Sequence, residues 1–289
     1  MLTFRERVDE AMRLVGRLLM FVVVSGVALF IFGMALKPLL PNGLPLGRDG
    51  KLIFMILVAL AFGIGNVVAA LGFERGNWEL TGLGDLAWRP LALLGGPLLG
   101  SLAVAVPAAA LLLFGVVDVV VVPAGSWSGY AGDVLLVVVI VTLAEELAFR
   151  GYVFGLLADR WGHLAAVLLT ALAAGVIQMR APESTPATFA AALSLGIFLG
   201  AIRSRTESVA ASWLAHFAVF WMHGAVLHGS LRGADLRGPP GYSWVAGDPG
   251  WLTGGVAGSA EGAAAVVGLL VVTFLVFRPR RANARPARV

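Results

Sequence analysis

The stretch VLLVVVIVTLAEELAFRGYVFGLL, residues 134–157, decides how this chain is read. As a helix, an apolar run of this length crosses a hydrocarbon core of about 30 Å, which takes ~20 residues. Yet it holds Glu145, Glu146 and Arg150 within six positions. One ionised side chain near the bilayer centre costs about 2.5–3.5 kcal/mol on insertion scales. Three of them must therefore face one another, a partner helix or a water-filled cavity, and the default reading is a functional site.

Outward from this stretch the whole chain reads as membrane protein. Of 289 residues, 59% are hydrophobic and 13% charged, with a mean hydropathy of +0.89; soluble domains carry roughly 25% charged residues. Eight runs predict spans: Leu18–Leu36, Leu52–Leu71, Leu91–Phe114, Val134–Leu157, Leu164–Met179, Ala187–Ile202, Val209–Leu227 and Ala260–Phe277. The alternation of a membrane barrel is missing, so the fold class is all-α, a polytopic bundle of about eight transmembrane helices. Cysteine is absent, which excludes disulfide and thiolate chemistry. The first run follows a segment with Glu6, Asp9 and Glu10 and reads as a retained anchor, not a cleaved signal peptide.

The pattern divides into a cytoplasmic N-terminal segment (1–17), an integral membrane domain (18–277) and a basic tail (278–289). Threading eight spans puts fourteen Lys and Arg on the side of the termini against six opposite. Both termini are therefore expected in the cytoplasm, at a bacterial inner membrane. The net charge of +4 fits this bias and anionic lipid at the tail, worth about 1 kcal/mol per basic residue. No nucleic-acid signature is present. Gly115–Gly132 is expected as an outer segment too short to span, and Gly229–Gly258 as an outer loop with interfacial aromatics.

On a helix Glu146 and Arg150 share a face and pair in the favourable acid-first order. Glu145 points about 100° away, which leaves it to meet another helix and act as a general base. Counting ~1.5 Å per residue puts Gln178 and His216 at a similar depth, near the midplane. His223 returns to the His216 face seven residues later, His228 ends the helix, and His163 falls in a short cytoplasmic turn with Asp159 and Arg160.

Glu145-Glu146-Leu147-Ala148-Phe149-Arg150-Gly151 resembles the first motif of the CPBP family, the CAAX-prenyl-protease and bacteriocin-processing intramembrane proteases. Leu156-Leu157 and Gly82-Leu83 followed by Trp88 extend the likeness over roughly residues 80–228. The resemblance implies that Glu145 activates water, that Glu146 and Arg150 support it, and that His216 stabilises the oxyanion. Two positions depart from the family pattern. Gln178 stands where its second motif has His, and Phe220 where its third has Asn or a similar residue. A divalent metal such as zinc would be left with Glu145 and His216, short of the three protein ligands a catalytic site uses. Trp221 or, as an auxiliary donor, His223 is expected to replace the one that Phe220 removes.

The expected function is an intramembrane endopeptidase cutting near the C-terminus of a membrane-anchored protein or peptide precursor. Gln178 and Phe220 keep open a pseudo-protease that serves as a membrane scaffold or partner subunit. A proton-coupled transporter, with the two glutamates as relay, is a third reading; missing repeats weigh against it.

Overall fold

The computed structural model describes residues 4–40, 43–44, 48–123, 125–181, 184–228, 241–255 and 258–276. Its elements in chain order are α1 (Phe4–Leu36), α2 (Arg48–Val68), α3 (Pro90–Leu113), β1 (Val117–Val121), α4 (Trp127–Phe149), α5 (Tyr152–Gln178), α6 (Pro186–Thr206), α7 (Val209–Trp221), β2 (Tyr242–Ala246), the short α8 (Gly250–Thr253) and α9 (Ala263–Val276). Single π-turns extend α2 over Ala69–Phe73 and α7 over Met222–Val226. The expected basic tail lies outside the described residues, as does 229–240 of the outer loop.

Among the described residues five helices are long and apolar enough to cross a membrane: Val8–Leu36, Asp49–Phe73, Pro90–Leu113, Pro186–Thr206 and Val209–Val226. Ala263–Val276 is apolar but shorter. The chain is an integral membrane helical bundle. Its fourth and fifth predicted runs are partitioned differently from expectation. The chain breaks at Arg150-Gly151, so α4 stops at Phe149, and the segment that starts at Tyr152 is itself two helical pieces that turn at Gly162 (φ 85°, ψ 163°), where a turn is expected. The diglutamate thus sits at the end of a helix and not mid-span. The segment read as a separate N-terminal piece, 1–17, is helical from Phe4 and continuous with the first span.

Asn66 of α2 fixes that break. Its Nδ2 donates to the Phe62 and Leu147 carbonyls at 2.8 and 2.9 Å, and its Oδ1 accepts from Tyr152 N at 2.7 Å. One fully buried amide therefore serves the end of α4 and the start of α5, where helix termini leave backbone groups without intrahelical partners. A Cβ on Gly151 would strike this amide and the Leu147 carbonyl, which accounts for glycine there.

Small residues let the central helices close up, as membrane helix pairs require. Gly96 and Gly100 of α3 lie on the Ala211 and Ala215 carbonyls of α7, and Gly196 and Gly200 of α6 lie on Ala171 and Val167 of α5. The main apolar cluster joins α3, α6, α7 and α9 through Ala103, Val104, Phe198, Leu199, Ala215, Val219 and Leu269.

Two features of this helical bundle were not expected from the sequence. The segment after α3 forms β1, which pairs antiparallel with β2 from the far end of the outer loop, Val117 opposite Ala246 and Val121 opposite Tyr242. Tyr242 OH and Trp127 Nε1 fasten this ribbon and the start of α4 to the Val226 and Ala225 carbonyls at 2.8 and 2.9 Å. Arg203, counted among the loop charges, is 3% exposed inside α6. Its guanidinium donates to the Arg150 and Leu80 carbonyls at 2.9 and 3.2 Å and stacks over Phe154.

Candidate functional site

The site is built where α4, apolar for most of its length, ends on charge. Ser126 caps its start by accepting from Gly129 N. At its end Arg150 N and Gly151 N both return to the Glu146 carbonyl, at 2.8 and 3.0 Å. That turn holds the two glutamates and Arg150 against α6 and α7.

Glu146 is fully buried and engaged through one carboxylate oxygen, its Oε2 making no hydrogen bond among the described residues. Its Oε1 lies 3.5 Å from Arg150 NH1 and 3.0 Å from His216 Nδ1 of α7. Arg150, 2% exposed, also donates from NH2 to the Gly196 carbonyl of α6 at 3.2 Å. A buried carboxylate survives in such a place when paired and hydrogen-bonded, and Glu146 has both kinds of partner. Glu145 differs. Its side chain keeps 29% of its surface accessible, and Oε2 lies 3.7 Å from His216 Nε2. That surface faces a cavity of about 170 Å³ whose walls include Arg150, Gln178, His216, Phe220 and His223.

The cavity therefore brings together Glu145, Arg150, Gln178, His216, Phe220 and His223, while Glu146 stands behind Arg150 and His216. Phe220 meets the His216 ring edge-on at 5.0 Å. His223 Nδ1 hydrogen-bonds Ser259 Oγ at 2.9 Å. His228 belongs elsewhere, packed edge-on against Tyr130 and Tyr242. His163 is exposed beside Phe154.

The bond to Glu146 settles which nitrogen of His216 does what. A carboxylate only accepts, so Nδ1 carries a proton. Nε2 is then a lone pair in the neutral ring and a donor only in the imidazolium. It makes no hydrogen bond within the protein. The simple expectation that His216 donates to an oxyanion is thereby narrowed to its doubly protonated form.

For zinc the donors on the cavity are Glu145 Oε2 and His216 Nε2; Glu146, whose Oε1 is engaged and whose Oε2 is buried, does not line it, and Gln178 offers an amide. Among the described residues no group of three or more His, Cys, Asp or Glu is placed to hold a metal ion. The residues present do not fit a zinc centre with three protein ligands.

Sequence reasoning missed Asn66, Arg203 and Ser208. Ser208 caps α7 by accepting from Ala211 N at 2.9 Å and donates to the Ala87 carbonyl at 2.7 Å. A polar residue inside or beside an apolar run was the signal in each case. Glu261 and Thr188, which also line the cavity, were missed as well.

Neither the curated proteins nor the solved structures contain a match to this chain. Residues 127–222, about a third of the chain, match the family model of the type II CAAX prenyl endopeptidase, Rce1-like. The match opens at the first residue of α4 and closes just past α7, so it covers the helices that carry Glu145, Arg150, Gln178 and His216. Over α4–α7, then, this membrane protein is similar to the Rce1-like type II CAAX prenyl endopeptidases, in agreement with the resemblance of its Glu145–Gly151 motif.

Proposed function

We propose that the chain is an intramembrane endopeptidase that hydrolyses a peptide bond near the C-terminus of a membrane-anchored protein or peptide precursor. It would work in a bacterial cytoplasmic membrane with both termini cytoplasmic, its basic tail on anionic lipid. One observation carries this reading. Of the two adjacent glutamates, Glu146 is bound by Arg150 and His216, and Glu145 opens on the cavity 3.7 Å from His216 Nε2.

In this reading Glu145 accepts a proton from a water molecule as the water oxygen attacks the scissile carbonyl carbon. The oxyanion that forms takes hydrogen bonds from the His216 imidazolium and from the Gln178 amide, which keeps donors although it cannot serve as a base. On collapse the C–N bond breaks, and the proton held by Glu145 passes to the leaving amine. Glu146 and Arg150 position His216 and stay out of the proton transfer.

Mass spectrometry of membrane-protein C-termini, comparing wild type, a deletion, and the deletion rescued with Glu145→Gln, tests the reading. A set of trimmed C-termini that needs the wild-type gene and is not restored by the Gln form is the expected result. Phe220 against His216 favours a second reading, a non-cleaving scaffold. Restoration of processing by Glu145→Gln would select that one.

A further inference from the structure

The cavity reaches one end of the bundle and stops short of the other. At the first end β1 pairs with β2, Trp127 at the start of α4 bonds the Ala225 carbonyl, and Thr188 in the first turn of α6 bonds Glu261. His223, on the π-turn after α7, bonds Ser259 there as well. At the opposite end Arg203 of α6 donates to the Leu80 carbonyl, Val209 N to the Gly82 carbonyl at 3.0 Å, and Ser208 to the Ala87 carbonyl. These bonds tie the segment 80–87 to the α6–α7 connection.

The cavity wall follows this division. Along α6 it runs from Thr188 to Leu199, seven residues before the helix ends at Thr206. Along α7 it begins at His216, seven residues after Val209, and reaches His223. At 1.5 Å per residue, ~10 Å of both helices lies between the cavity and the far end. That stretch is solid, since every residue of Phe198–Arg203 and of Ser208–Ser212 is buried. An interior packed at crystal density leaves a peptide no path. Toward the ribbon the wall is different. Gln178, Ala191, Ala192, Ala260 and Glu261 line the cavity there, and each keeps accessible surface. An extended peptide also carries N–H and C=O groups that hydrocarbon cannot satisfy, which favours entry at this polar rim over entry from the lipid.

Resting on the peptidase reading with both termini cytoplasmic, we infer that the peptide enters from the ribbon end. The threading that leaves the termini in the cytoplasm puts the ribbon on the outer side. The substrate is then a membrane-anchored chain whose cleaved segment lies outside the cytoplasm. From Thr188 to Gly196, where the Arg150 guanidinium binds, is ~12 Å along α6. An extended peptide advances about 3.3–3.6 Å per residue, so roughly three or four residues must pass the rim before a bond meets Glu145.

Cysteine accessibility tests the route directly, because the chain has no cysteine of its own. In full-length protein, Ala192→Cys and Ala260→Cys report on the cavity. Ser128→Cys marks the ribbon end and Arg205→Cys the far end, both at exposed positions. Each variant is treated, in intact cells and in inside-out vesicles, with a sulfonated maleimide that does not cross membranes. Both cavity cysteines should follow Ser128→Cys, labelled in cells and unlabelled in vesicles, with Arg205→Cys the reverse. Cavity cysteines that follow Arg205→Cys overturn the inference, as does a Ser128→Cys labelled only in vesicles. Reaction with a membrane-permeant maleimide alone also overturns it and places entry in the lipid. Labelling needs no turnover, so the two proposals fail separately. Labelling in cells with no trimmed C-terminus keeps the entry route and removes the peptidase. Labelling in vesicles with trimming that needs Glu145 keeps the peptidase and removes the route.

Discussion

Arg150 stands between two buried charged clusters that look alike in sequence and differ in kind. Its side chain joins Glu146 and His216, while its carbonyl accepts from Arg203. On the Arg203 side every direction is covered: two carbonyls take its N–H groups, Phe154 lies beneath it, and Gly82, at φ 72°, leaves room only because it has no Cβ. On the other side Glu146 is as fully enclosed, yet its neighbour Glu145 keeps open surface toward a cavity. The lesson is that burial of charge alone does not mark chemistry. A charge whose partners are complete holds the fold together, and one left partly open beside a cavity has a ligand to meet.

Replacing one residue on each side gives the sharpest test of that distinction. Glu145→Gln removes the general base and lowers turnover about 10²–10⁴-fold, with the melting temperature in detergent moved by no more than about 2 °C. Arg203→Met does the reverse. It strips two charge-assisted hydrogen bonds and orphans two carbonyls, for a loss of about 3–5 kcal/mol, read as reduced folded yield and an earlier melt. If Glu145→Gln melts early, or Arg203→Met melts like wild type, the two clusters are not different in kind.

A smaller effect of opposite sign comes from Phe220. It presses edge-on against His216 where the resemblance places a hydrogen-bond donor. Phe220→Asn puts an amide into the cavity wall, and one oxyanion donor is worth about 10²–10³ in rate. Turnover of any cleaved peptide should rise by about 10². A rise that also needs Glu145 places both residues in one reaction; no rise means that Gln178 and His216 already supply the donors.

What could be read beforehand follows the same divide. The bundle and the pairing of Glu146 with Arg150 were legible because each rests on local spacing, apolar length in the first case and a four-residue step in the second. The convergence of Glu145, Gln178 and His216 on one cavity was expected from depth along helices. The distant partners of Arg203 and Asn66 were not legible, since they lie 53 to 123 and 81 to 86 residues away in sequence and no periodicity points to them. The break at Arg150-Gly151 was hidden for a related reason. The run stays apolar across it, and the signal for the stop sits in α2, at Asn66.

Asn66 therefore offers the finest test, because it asks whether the break that aims Arg150 depends on one amide. Its NH₂ serves two carbonyls and its oxygen serves one N–H, all out of water. Asn66→Ala leaves the Leu147 carbonyl and Tyr152 N without that partner and should cost about 2 kcal/mol. Asn66→Asp keeps the acceptor but turns a carboxylate oxygen toward the Phe62 and Leu147 carbonyls. It should therefore melt below the alanine variant, although it is closer in shape. Were the aspartate variant the more stable of the two, the amide would have to lie the other way round. The turn carrying Arg150 into the cavity would then be held by Gly151 and the Glu146 carbonyl alone.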